Sequence, residues 1–179
     1  MTTFIPFHRF NRARYRIGQG LGFLFDRSRP AVDRELSALL TSRQWELVAG
    51  LPGRDKAHHL AVYQRLLAQG CDDAELLLTA LLHDCGKLDE RGRAGVSQRT
   101  LLVLAGSGNL TVLRRLGSKA GSGWRYGLYL AIEHPNLGAS RARAAVCSER
   151  VCWLIEHHHD PDGNGDAGLR LLQLADDEV

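Results

Sequence analysis

The run ELLLTALLHDCGK, residues 75–87, constrains this chain more than any other stretch. Apolar residues before it demand burial, and the run then delivers His83 and Asp84 side by side into the same interior. A buried carboxylate without a partner costs several kcal/mol as an order of magnitude. A fold that accepts this sequence must therefore surround Asp84 with groups that answer its charge. The first turn of the segment, DDAE, carries acids where the helix dipole favours them.

Helical spacing extends over most of the chain. Residues 30–50 read as one helix, opened by Pro30 and closed by Gly50, and residues 51–70 as a second, ended by Gly70. VSQRTLLVLAG and NLTVLRRLG give two shorter candidates, with GSGN at 106–109 read as a loop. WRYGLYLAIEHPN follows, with His134 closing its helical pattern before Pro135. SRARAAVCSERVCWLIEHHHD and LRLLQLADDEV supply the last helices. Sustained alternation and hairpin dipeptides between β-branched runs are nearly absent, so the expected class is all-α. With 179 residues, 44% of them hydrophobic, the chain can bury one substantial core.

Every apolar run is interrupted short of membrane-spanning length, and the first twenty residues lack a secretory pattern. Four cysteines form no CxxC pair and read as reduced thiols. The expectation is a cytoplasmic protein. Its net charge of +3 gives no case for nucleic acid, which is not expected as a partner. Arg9, Arg12, Arg14, Arg16, Arg27 and Arg29, interleaved with aromatics, make the first thirty residues basic and amphipathic. A packed arm with solvated arginines is the simpler reading, and contact with an acidic membrane surface or RNA the sharper one.

Ordered along the chain, the candidate metal ligands are His58, His83, Asp84, His134, His157, His158 and Asp176. Imidazole with carboxylate suits divalent iron, manganese, zinc or similar ions. A carboxylate that bridges two ions would offset the cost of burying Asp84. His59, one residue from His58 and about 100° away on a helix, cannot share its role. It reads instead as a surface or hydrogen-bonded histidine. Cys85 reads as a small packed residue, Cys147 and Cys152 as the inner face of the helix before His157, and Asp89 and Glu90 as exposed.

The ordered set His58, His83-Asp84 with Gly86-Lys87, and Asp176 after Ala175 resembles the HD-domain metal-dependent phosphohydrolases. EHPNLGA, HHHDPDG and LLQLADDEV are similar to segments of the HD-GYP branch. The likeness covers roughly residues 54–179. It implies a single helical bundle of the HD type over residues 51–179, with residues 1–50 as an N-terminal helical extension. It implies one metal on His58, His83, Asp84 and Asp176, and a second on Asp84, His134, His157 and His158. The cofactors would be two divalent transition ions, iron, manganese or similar. Lys87 would approach a substrate phosphate, and Asp84 and Lys87 would be the catalytic pair.

The implied activity is hydrolysis of a nucleotide or related phosphoester. A di-iron oxygenase and a catalytically silent nucleotide-binding module are the alternatives. DGNGDAG lacks the Tyr-Pro of the branch, which argues against cyclic di-GMP. The long stretch between Asp84 and His134, with Arg114, Arg115, Lys119 and Arg125, reads either as a basic cover over a phosphate or as a variable surface loop.

Overall fold

A computed structural model describes residues 30–105 and 110–179; the readings of residues 1–29 and of GSGN lie outside them. The described chain is all-α, with one two-stranded exception. Helices α1 (Pro30–Leu39), α2 (Ser42–Val48), α3 (Gly53–Ala68) and α4 (Ala74–Leu82) precede a 3₁₀ turn at Cys85–Lys87. Strands β1 (Leu88–Asp89) and β2 (Gly92–Arg93) then pair antiparallel, Leu88 opposite Arg93. Helices α5 (Val96–Ala105), α6 (Leu110–Leu116), α7 (Gly123–Ala144) and α8 (Glu149–His157) follow. A 3₁₀ turn, Pro161–Gly165, leads into α9 (Ala167–Glu178).

Local chemistry sets the boundaries. The expected single helix over 30–50 is two, because Thr41 begins a new one. Its hydroxyl accepts from the Gln44 N–H while the Gln44 side chain accepts from the Thr41 N–H, a reciprocal capping box. Gly70, at φ +81°, ends α3: its N–H bonds to Leu67 and the Cys71 N–H to Leu66, a Schellman closure. Asp73 caps α4 by accepting from the N–H groups of Glu75 and Leu76. Asp166 does the same for α9 through Leu169.

The pattern over 124–136 does not stop before Pro135. Helix α7 runs through the proline to Ala144, since only one ladder bond is lost there and a side chain replaces it, as described below. Cys147 lies in the turn between α7 and α8 rather than on the helix before His157.

Helix α4 is the centre of the packing. Leu81 and Leu82 join Leu36, Leu40, Val48 and Leu51 in a core shared with Leu60 of α3 and Val151, Cys152 and Ile155 of α8. Leu76 and Ala80 join Val62, Leu66, Leu154, Leu169 and Leu172 in a second one. Residues 36–51 thus pack into the same interior as the helices that carry His58 and His83. The 3₁₀ turn after α4 touches α7 backbone to backbone: a Cβ built on Gly86 would lie 2.0 Å from the His134 carbonyl oxygen and 2.7 Å from the Gly138 nitrogen.

Two polar ties hold outer helices in place. Lys56, buried on α3, pairs with Asp33 of α1 at 2.7 Å and donates to the Ala49 carbonyl. Asp55, buried in the first turn of α3, takes both terminal nitrogens of Arg99 from α5, at 2.9 and 2.6 Å. Asp55→Ala leaves the guanidinium without its acid and removes a negative charge from a helix N-terminus. A stability loss of about 2–3 kcal/mol is expected, below the full cost of a broken buried pair because Arg99 keeps some solvent contact. Urea denaturation of D55A checks it. An unchanged midpoint would show the pair to be neutral.

Candidate metal centre

Three of the candidate histidines sit where a helix ladder is interrupted. His83 caps the end of α4, His158 caps the end of α8, and His134 precedes the proline of α7. The last carbonyls of a helix lack N–H partners, and Pro135 has no N–H to offer Ala131 four residues back. In all three cases the imidazole answers a carbonyl three residues earlier. His83 Nδ1 donates to Ala80 at 3.0 Å, His134 Nδ1 to Ala131 at 2.9 Å and His158 Nδ1 to Ile155 at 2.6 Å. A carbonyl only accepts, so each Nδ1 carries a proton, and a ring with no second proton presents an Nε2 lone pair onward.

Those lone pairs converge on Asp84. Nε2 of His134 lies 3.2 Å and Nε2 of His158 3.6 Å from Asp84 Oδ1, while Nε2 of His83 lies 3.7 Å from Oδ2. Lys87 pairs with Oδ2. On the other side His58 Nε2 meets Asp176 Oδ1 at 2.7 Å, and His83 Nε2 is 3.6 Å from the same oxygen. His83, Asp84, His134 and His158 are buried, whereas the His58 and Asp176 side chains are 26% and 23% exposed. The site opens towards solvent on that side.

The electrostatics suit a cation. Burial pushes the Asp84 carboxyl up, but the Lys87 ammonium beside it, the largest of the opposing influences, holds it well below the usual carboxylate range. Asp176 is likewise raised by burial and brought below its ordinary value by His58 and His83. Burial, with Lys87 beside it, lowers His134 from 6.5 to about 4, and burial lowers His83 as well. The Nε2 atoms of His134 and His158 stand 3.3 Å apart. Burial opposes a second proton on His134, so its Nε2 offers a lone pair towards His158. His83 Nε2 and Asp84 Oδ1 are buried and make no hydrogen bond. Buried acceptors without a donor are what a bound cation resolves.

Two sets of donor atoms lie within 4.8 Å of one another: Asp84 with His134, His158 and His159, and Asp84 with His58 and His83. Either could hold a metal ion, and Asp84 belongs to both. Of the seven ligands expected from sequence, six are gathered here. His157 is turned away: its Nδ1 donates to the Trp153 carbonyl at 2.8 Å and its ring stacks on Trp153, centroids 4.6 Å apart. His159 stands in the cluster instead, its ring 4.0 Å from His158 and 5.0 Å from His134. The signal for it was the run His157-His158-His159, which admits any of the three until the end of α8 is fixed.

Neighbouring expectations resolve as follows. His59 is fully buried with neither ring nitrogen bonded and packs against His83, centroids 4.7 Å apart. Burial, then His83, lowers its pKa well below 6.5. Cys85 is a packed thiol, pushed up to about 12 by burial. Asp89 is half-buried rather than exposed, accepting from the Tyr126 hydroxyl. Arg114 pairs with Glu133 at 3.5 Å, and Arg114 and Arg115 are exposed on α6. No family model, curated protein or solved structure matches this chain.

The depressed value of His134 sets a pH dependence for the chelator-treated protein. The unfolded chain protonates this imidazole near 6.5, whereas the folded chain waits until about 4. The stability tied to its neutral form is complete above about pH 6.5 and is lost as pH falls towards 4, at up to about 1.4 kcal/mol per pH unit for this one group. Urea midpoints at pH 7.5 and 5.0 test this. Equal midpoints would contradict it.

Proposed function

We propose that this chain is a metal-dependent phosphohydrolase acting on a nucleotide or a related phosphoester, with two divalent transition ions sharing Asp84. The observation that carries the reading is the convergence of Nε2 atoms on one buried carboxylate whose Oδ1 has no hydrogen bond and whose Oδ2 pairs with Lys87, with a second carboxylate, Asp176, at the open side. His58, His83, Asp84 and Asp176 would hold one ion, and Asp84, His134, His158 and His159 the other. Such ions supply Lewis acidity towards a phosphoryl oxygen and make a water nucleophile available near neutral pH.

The chain's own groups do the rest. His83 and His134, whose imidazoles burial keeps from protonating, bind without first losing a proton. The two oxygens of Asp84 face the two donor sets, which fixes their separation. Lys87 carries a positive charge beside Asp84, positioned to meet charge that develops on a non-bridging phosphate oxygen. The packed face of α4 and α7 keeps bulk water off Asp84, where a lower dielectric strengthens each of these interactions.

The test is elemental analysis of untagged protein purified without chelator, followed by turnover assays. p-Nitrophenyl phosphate, bis(p-nitrophenyl) phosphate and a panel of nucleotides serve as substrates. About two transition-metal equivalents per chain are expected, with hydrolysis lost to chelator and restored by one of the ions. Failure to retain metal after reconstitution would overturn the proposal. Iron-loaded protein that consumes oxygen and leaves every phosphoester intact would replace it with the oxygenase reading.

A further inference from the structure

Between Glu90 and Glu133 the sequence contains no acidic residue and seven basic ones, in a chain whose 23 lysines and arginines are otherwise nearly matched by 20 acids. The same stretch carries the exposed apolar side chains Leu104, Val112, Leu116 and Trp124, at 78%, 55%, 47% and 45%. Polar solvation explains exposed arginines but not four large apolar groups set among them.

The geometry makes this a fixed face. Leu113 is the buried residue of α6. At about 100° per residue, Leu116, Val112 and Arg115 follow one another along an arc of about 100° on its flank. Arg125 Nε donates to the Leu116 carbonyl at 3.1 Å, which draws the first turn of α7, and Trp124 with it, against the end of α6. Arg91 donates to the carbonyls of Lys119 and Gly121, anchoring the intervening turn to the hairpin. Arg115, Lys119 and Arg125 are exposed around the apolar group.

We infer that this face docks on an anionic lipid surface. Aliphatic side chains with a tryptophan enter the boundary between headgroups and acyl chains, and the surrounding lysine and arginine charges face anionic headgroups. Charge complementarity selects the occupant, since the exposed Arg115, Lys119 and Arg125 repel the same face of a second copy. A nucleic acid would satisfy the charges but leave Val112 and Leu116 in water. The inference does not depend on the metal centre.

Flotation of the full chain with vesicles of phosphatidylcholine alone, or with about a third phosphatidylglycerol, decides the matter. Binding is expected only to the anionic vesicles, and to weaken as salt is raised. Arg115→Gln with Lys119→Gln is expected to weaken it roughly 30-fold, from about fivefold per charge. Leu116→Ser with Trp124→Ser is expected to abolish it, with circular dichroism and the urea midpoint matching the parent because both side chains are exposed. Equal binding to neutral vesicles, or anionic-vesicle binding that survives L116S/W124S, would overturn the inference. Binding of a single-stranded oligonucleotide with no vesicle binding would overturn it in favour of a nucleic-acid partner.

Discussion

Asp84→Asn is expected to lower phosphoester turnover by on the order of 10³-fold while leaving the protein folded. The amide keeps the shape of the carboxylate but takes its charge from both donor sets and an acceptor oxygen from one of them. If bound ions contribute several kcal/mol of transition-state stabilisation, and each 1.36 kcal/mol is a factor of ten, losing the shared ligand removes about three decades. Metal content should fall in step. Two further variants separate this from a general loss of structure. His159→Ala should reduce metal retention, because its ring belongs to the cluster with His134 and His158. His157→Ala should not, because that ring stacks on Trp153. A D84N protein that kept its metal and its rate would remove Asp84 from the centre of the site, and a large loss in H157A would reverse the assignment of the two histidines.

Gly86→Ala should be the most destabilising glycine-to-alanine substitution among the described residues. The added methyl has no flexible neighbour to displace. It would stand 2.0 Å from the carbonyl oxygen of His134 and 2.7 Å from the nitrogen of Gly138, both in the backbone of α7. Overpacking against side chains costs about 1–3 kcal/mol, and a rigid helix backbone places this site at or above about 3 kcal/mol. For a domain of this length that is a fall in Tm of about 6–12 °C. Gly70→Ala gives the contrast. It sits at φ +81° with open space around it, so only the left-handed backbone is penalised, by about 1 kcal/mol. Similar losses at the two positions would mean that the turn and α7 separate easily. The same shift would move His134 away from Asp84, so G86A should also lose metal affinity.

What could be read from the residues, and what could not, follows from the range of the signals. The all-α class was legible because helical spacing acts over a few residues. The gathering of His58, His83, Asp84, His134, His158 and Asp176 was expected through ordered motifs. The choice between His157 and His159 was not accessible, because residues past the end of a helix no longer obey its angular spacing, and the end of α8 at His157 depends on tertiary packing. The continuation of α7 through Pro135 was missed for a related reason. Proline usually ends a helix, and the exception rests on a side chain that completes the broken ladder. The division of residues 30–50 was available in the sequence as Thr41-x-x-Gln44, a signature outweighed by the apolar period on either side. The burial of His59 with no partner has no local signal at all.

The bonds from His83, His134 and His158 to carbonyls of their own helices mean that ring orientation is a property of the main chain. Two torsions per ring are frozen when the protein folds, so little side-chain freedom remains to be lost on loading. Ion capture then resembles filling a rigid chelator: calorimetry should show almost no ordering entropy from the ligands. Amide exchange of α4, α7 and α8 should slow no more than overall stabilisation requires.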